Sequence, residues 1–109
     1  MTVNELASAL SLKTHSCPEP EREISGVYIG DLLSWVMGRA QSGEAWITIM
    51  SNINIVAVAS LVDASCILLA EGVEPDANLV QTAEAKGVNL FTSEKTAYEL
   101  AKALAELLR

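Results

Sequence analysis

The 109-residue chain has one histidine, His15, and only two cysteines. A hydrolytic triad would have to be built around that one imidazole. Two cysteines cannot staple a secreted disulfide scaffold. Cys66 falls in the apolar run Cys66-Ile67-Leu68-Leu69 and reads as core, while Cys17 sits beside Pro18 in a polar loop. His15-x-Cys17 supplies two metal ligands where structural zinc takes four. No Gly-x-Ser-x-Gly elbow, Gly-x-Gly-x-x-Gly fingerprint or phosphate-binding Gly-Lys-Ser/Thr loop is present. These absences predict no catalytic residues, no metal and no cofactor, and so a protein that is not an enzyme.

Basic residues are also few. Lys plus Arg is 7 against 14 for Asp plus Glu, a net charge of −7, and the seven are scattered from Lys13 to Arg109. Phosphate-tracking proteins need a basic patch, so no nucleic acid is expected as a partner. No membrane is expected either. Ile53 to Ala70 is the longest apolar stretch, but Ser60, Asp63 and Ser65 interrupt it, and a span needs about 20 predominantly apolar residues. MTVNELASAL has neither the basic start nor the apolar run of a signal peptide. The expected location is cytoplasmic, in a reducing compartment.

Apolar residues, by contrast, are plentiful. The hydrophobic fraction is 50%. Counting Gly and leaving out Tyr raises it to roughly 54%, against about 45–50% in ordinary domains. In a chain this short, that excess predicts apolar surface covered by a partner, most economically a second copy in a homodimer.

The length fits one domain, residues 1–109. Thr2-x-x-Glu5 has capping-box spacing and opens a helix to Leu10. Leu12–His15 reads as a strand and Ser16–Arg22 as a proline-bearing loop. Ile24–Ile29 is a strand with Gly26 as a candidate bulge, and Asp31 is placed to cap a helix over Leu32–Gln41. Ala45–Met50 is the next strand, and Asn52 or Asn54 caps an almost wholly apolar helix, Ile55–Val62, of the kind that is buried all round or lies in an interface. Cys66–Ala70 is apolar throughout, as a central parallel strand should be. Pro75 and Asp76 start a helix that Gly87 ends. Val88–Phe91 is the last strand, and Thr92-Ser93 caps a final helix, Glu94–Arg109. Strands alternating with helices predict an α/β fold, a three-layer α/β/α sandwich with a mostly parallel sheet of about five strands.

Candidate ligand contacts lie in two turns beyond strand ends, where open α/β sheets hold ligands. Asn52 and Asn54 in Ser51-Asn52-Ile53-Asn54 can donate and accept hydrogen bonds. Glu71 and Gly72 in Glu71-Gly72-Val73-Glu74-Pro75 are expected to close over the same crevice, with Gly72 letting a backbone approach. Thr92 adds a hydroxyl beyond the last strand. The carboxylates of Glu71 and Glu74 would favour a cationic group or a ribose hydroxyl over phosphate. Trp35 and Trp46 read as core or interface anchors.

Ile24-Ser-Gly-Val-Tyr-Ile-Gly-Asp-Leu-Leu, Trp46-Ile-Thr-Ile, Asn54-Ile-Val-Ala-Val-Ala and Ile67-Leu-Leu-Ala-Glu-Gly-Val-Glu-Pro together resemble a DRTGG domain, over about Leu12 to Leu104. Where that family carries Asp-Arg and Thr-Gly-Gly, this chain has Ser51-Asn52 and Ala70-Glu71-Gly72, so Gly72 alone is retained. The resemblance implies a fold similar to the N-terminal domain of HPr kinase/phosphorylase, with no catalysis of its own. It looks most like the small stand-alone proteins found beside iron-only hydrogenase and redox signalling systems in anaerobic bacteria. Two roles follow as expectations: a homodimeric regulatory domain that senses a nucleotide or phosphorylated metabolite, or an interaction module that docks a signalling-protein partner without a small ligand.

Overall fold

A computed structural model describes all 109 residues. Helix α1 (Val3–Ala9) leads into β1 (Lys13–Ser16), and a long loop reaches β2 (Gly26–Ile29). Three strand–helix units follow: α2 (Leu33–Arg39) and β3 (Glu44–Thr48), α3 (Asn54–Val62) and β4 (Cys66–Leu69), α4 (Ala77–Ala85) and β5 (Leu90–Thr92). Helix α5 (Ala97–Leu107) ends the fold. The expected α/β class holds. Five strands lie in the order β1-β5-β4-β3-β2. β2, β3, β4 and β5 are parallel, and β1 is antiparallel to β5.

The order β2-β3-β4-β5 advances in one direction. Right-handed crossovers taken in one direction put their helices on one face of a sheet. α2, α3 and α4 accordingly bury Val36, Ile55, Val56, Val58, Ala59, Leu79 and Ala83 against Trp46, Ile67, Leu69 and Leu90. The opposite face takes α1 and α5, whose Val3, Leu6, Leu100 and Leu104 pack on Ala45, Ile47, Cys66, Leu68 and Phe91. Side chains of a strand alternate between faces, so the unbroken apolar run of β4 feeds both cores. Cys66 is fully buried, and burial pushes its thiol up to about 12.

The helix ends refine the expected boundaries. Thr2 and Glu5 form the expected capping box. Thr92-Ser93 does not cap the last helix: Thr92 is the final residue of β5, and Thr96 with Glu99 makes the capping box instead. Asp31 does not cap α2 either. Its carboxylate accepts from Thr48 Oγ1 at 2.8 Å and from the Ile49 amide at 3.0 Å, tying the end of β2 to the end of β3. Gly26 pairs regularly with Glu44, and the bulge lies in β1 between Thr14 and Ser16. The apolar helix α3 lies between α2 and α4 on the sheet, with Asn54, Ala57, Ser60 and Leu61 facing outward. No helix is long and apolar enough to cross a membrane.

Ile67 and Leu61 separate burial from composition. Ile67→Ala opens a hole in the centre of the sheet and should cost about 2–5 kcal/mol in denaturant unfolding. Leu61, 70% exposed, should change stability by no more than about 0.5 kcal/mol when cut to Ala.

Candidate functional site

β4 and β5 are neighbours, but their following helices leave for opposite faces, α4 to one and α5 to the other. Loops that diverge in this way leave a crevice between them beyond the carboxyl ends of the strands. A cavity of about 380 Å³ lies there. The β4–α4 loop contributes Gly72 and Glu74, and the end of β5 with the loop after it contributes Thr92, Ser93, Glu94 and Lys95. β1 starts beside the end of β5, so Leu10, Ser11 and Lys13 close the third side.

The two loops are laced together by backbone bonds. The Glu71 amide donates to the Lys95 carbonyl at 2.8 Å, and the Gly72 amide to the Ser93 carbonyl at 2.9 Å. To make these bonds the chain takes two successive left-handed residues, with φ 63° at Glu71 and 72° at Gly72. Gly72 answers a second need as well. A Cβ on it would lie 2.5 Å from the Glu94 carboxylate, which would have to swing aside, so the left-handed backbone is the stronger reason for glycine here.

The β1 bulge sets the remaining wall. In a regular strand His15 and Ser16 would point to opposite faces. Here both reach toward the α4 side, as a bulge allows: His15 Nε2 lies 3.0 Å from Thr92 Oγ1, and the Ser16 hydroxyl shares its one proton between Glu84 at 2.8 Å and the Val88 carbonyl at 3.0 Å. Glu74 sits between two β1 side chains, 3.5 Å from Lys13 Nζ and 3.7 Å from His15 Nε2. Burial holds the His15 imidazole below its ordinary value of 6.5; the Glu74 carboxylate works the other way, and Lys13 adds to the lowering. The crevice thus carries two lysines, two carboxylates and three hydroxyls, with Leu10 as its one apolar side chain.

The sequence-predicted ligand contacts do not all meet here. Gly72 and Thr92 line the crevice, and Glu71 is exposed beside it. Asn52 and Asn54 are outside it. The Asn52 side chain accepts from the Asn54 amide at 2.9 Å and starts α3. Asn54 borders a separate groove of about 370 Å³ between α3 and α4, with Thr82 and Lys86. The reason is the shared face: α3 and α4 leave the sheet on the same side, so the loops before them do not part to form one crevice. Lys13, Glu94 and Lys95 were not anticipated, because their nearness to Gly72 depends on β1 lying beside β5. Cys17 packs against the α1/α5 core. Burial raises its thiol pKa, with Glu84 adding to the rise, which disfavours the thiolate needed for ligation or redox chemistry.

No known family profile matches the chain, and no curated protein matches it. Among solved structures, it is similar to the CBS and DRTGG domains of the regulatory region of Clostridium perfringens pyrophosphatase, complexed with the activator diadenosine tetraphosphate. The TM-score is 0.72 at 13% identity, over 93% of this chain and 44% of that one. The chain therefore spans less than half of the solved chain, and likeness at that identity establishes a shared fold.

His15 makes the electrostatics of the crevice measurable. Its folded-state pKa lies below the unfolded value, so the unfolded chain binds the proton first. His15 should leave stability unchanged above about pH 6.5 and reduce it as pH falls from there through the folded pKa. In an NMR titration of the ring, Glu74→Gln should lower the His15 midpoint further and Lys13→Met should raise it.

Proposed function

We propose that residues 1–109 form one non-catalytic regulatory domain of the DRTGG type, cytoplasmic and homodimeric, that senses a small molecule. The observation that carries this reading is the crevice at the β4–β5 divergence. Its mixture of charges and hydroxyls recognises polar ligands, and its position is where open α/β sheets hold them. A nucleotide or phosphorylated metabolite is the first ligand class to test. Lys13 and Lys95 are the cations a phosphate would meet. Gly72 lets the backbone approach, and Thr92 and Ser93 offer hydroxyls, with Glu71 at the rim. The likeness to a regulatory region solved with a nucleotide activator supports the same class. A role beside iron-only hydrogenase or redox signalling proteins is part of this proposal and rests on the sequence resemblance alone.

A second reading, an interaction module without a small ligand, is favoured by the exposed apolar side chains Ile29, Leu32, Trp35, Ile49 and Ile53.

A thermal-shift and calorimetric screen with diadenosine tetraphosphate, adenine and guanine nucleotides and inorganic phosphate separates the two. A ligand at a hundred times its dissociation constant should add about 2.7 kcal/mol of stability. That gain should vanish in the Lys13→Ala/Lys95→Ala double variant and survive in Asn52→Ala/Asn54→Ala. Loss in the asparagine pair alone would move the site to the β3–α3 turn. No shift with any of these compounds would sink the nucleotide reading and leave the interaction module.

A further inference from the structure

The crevice does not end at Lys95. That residue also lines a second depression, of about 450 Å³, which runs along α5 past Tyr98 and Lys102. Tyr98 and Lys102 are a helical turn apart and share one side of α5. Helical side chains lean toward the N-terminus of their helix, which sends Tyr98 toward Lys95 and the rim of the crevice. The Tyr98 ring is 73% exposed, more than any other large apolar side chain in the protein.

The two hollows differ in what they offer. The crevice has ammonium groups and hydroxyls but no flat surface, and Leu10 is its one apolar side chain. Tyr98 is the aromatic ring within reach of it. Trp46 and Phe91 are fully buried, Tyr28 packs into the core beneath α2, α3 and α4, and Trp35 on α2 is covered by the Arg39 guanidinium 3.7 Å from its ring centre. Glu99 and Glu106 border the Tyr98 depression. Their carboxylates oppose a second phosphate there and leave a neutral ring unopposed. We propose that crevice and depression form one two-part site for a purine nucleoside phosphate. The phosphate meets Lys13 and Lys95, the ribose crosses the rim at Lys95, and the purine stacks on Tyr98. Tyr98 is then the contact that separates a nucleotide from other phosphorylated metabolites.

This base subsite rests on the crevice of the preceding reading and is tested apart from it. AMP and ribose 5-phosphate carry the same phosphate and differ by the base. In calorimetric titrations of the full chain, AMP should bind about tenfold tighter than ribose 5-phosphate. Tyr98→Ala should remove that advantage while leaving ribose 5-phosphate binding unchanged, and Tyr98→Phe should keep it. The ring is exposed, so neither variant should disturb folding. In wild type the Tyr98 ring protons should move upfield on adding AMP and stay in place with ribose 5-phosphate, a readout that needs no variant. Equal affinity for the two compounds, or an AMP advantage that survives Tyr98→Ala, would overturn the base subsite and leave the crevice standing. Absence of binding by AMP, ribose 5-phosphate and inorganic phosphate alike would overturn both.

Discussion

The handedness of the β–α–β crossover governs this molecule. Three crossovers in succession step the same way across the sheet, and each must be right-handed, so α2, α3 and α4 share one face. The other face is left for α1 and α5, which are the helices outside the repeated units. The sheet acquires two cores, and its central strand β4 is buried on both sides. The same constraint places the crevice. Only between β4 and β5 do consecutive parallel strands send their helices to opposite faces, and only there do adjacent loops part.

Three short pieces of chain make the crevice, and they are far apart in sequence. Lys13 comes from the first strand, Glu74 from the loop after the fourth, and Thr92 from the end of the fifth. The β1 bulge sets their relation by turning His15 and Ser16 toward one face, so that Glu74 is held by Lys13 and His15 rather than by solvent alone. Backbone bonds at Glu71 and Gly72 then fix the opposite wall through two left-handed residues. The Glu74 carboxylate of this turn, which alone would repel phosphate, therefore shares the crevice with two ammonium groups.

The polar crevice and three exposed apolar side chains lie at opposite ends of the strand order. The crevice is at the β1–β5 end, and Ile29, Leu32 and Trp35 are at the β2 end. Charge follows the same division, with the acidic residues concentrated away from β2 and α2.

Local chemistry made much of the fold legible. Thr2 and Glu5 read as a helix start, Asp76 lies at the start of α4, and Cys66–Leu69 reads as a doubly buried strand. Each depends on residues within a turn of one another. The alternation of strands and helices gave the α/β class, and the resemblance to DRTGG domains agrees with the fold shared with a solved regulatory region. Asp31 and Thr92 were harder, because their partners lie across strand ends. An aspartate before a helix looks like a cap until the strand beside it supplies a better donor, as Thr48 does here. Gly72 and Thr92 could be named as residues beyond strand ends; that they share a crevice with Lys13, and not with Asn52 and Asn54, could not. Periodicity and capping are written along the chain and determine its elements. Strand order, the β1 bulge and the face each helix takes arise from pairings between distant segments, and these alone decided which polar side chains meet.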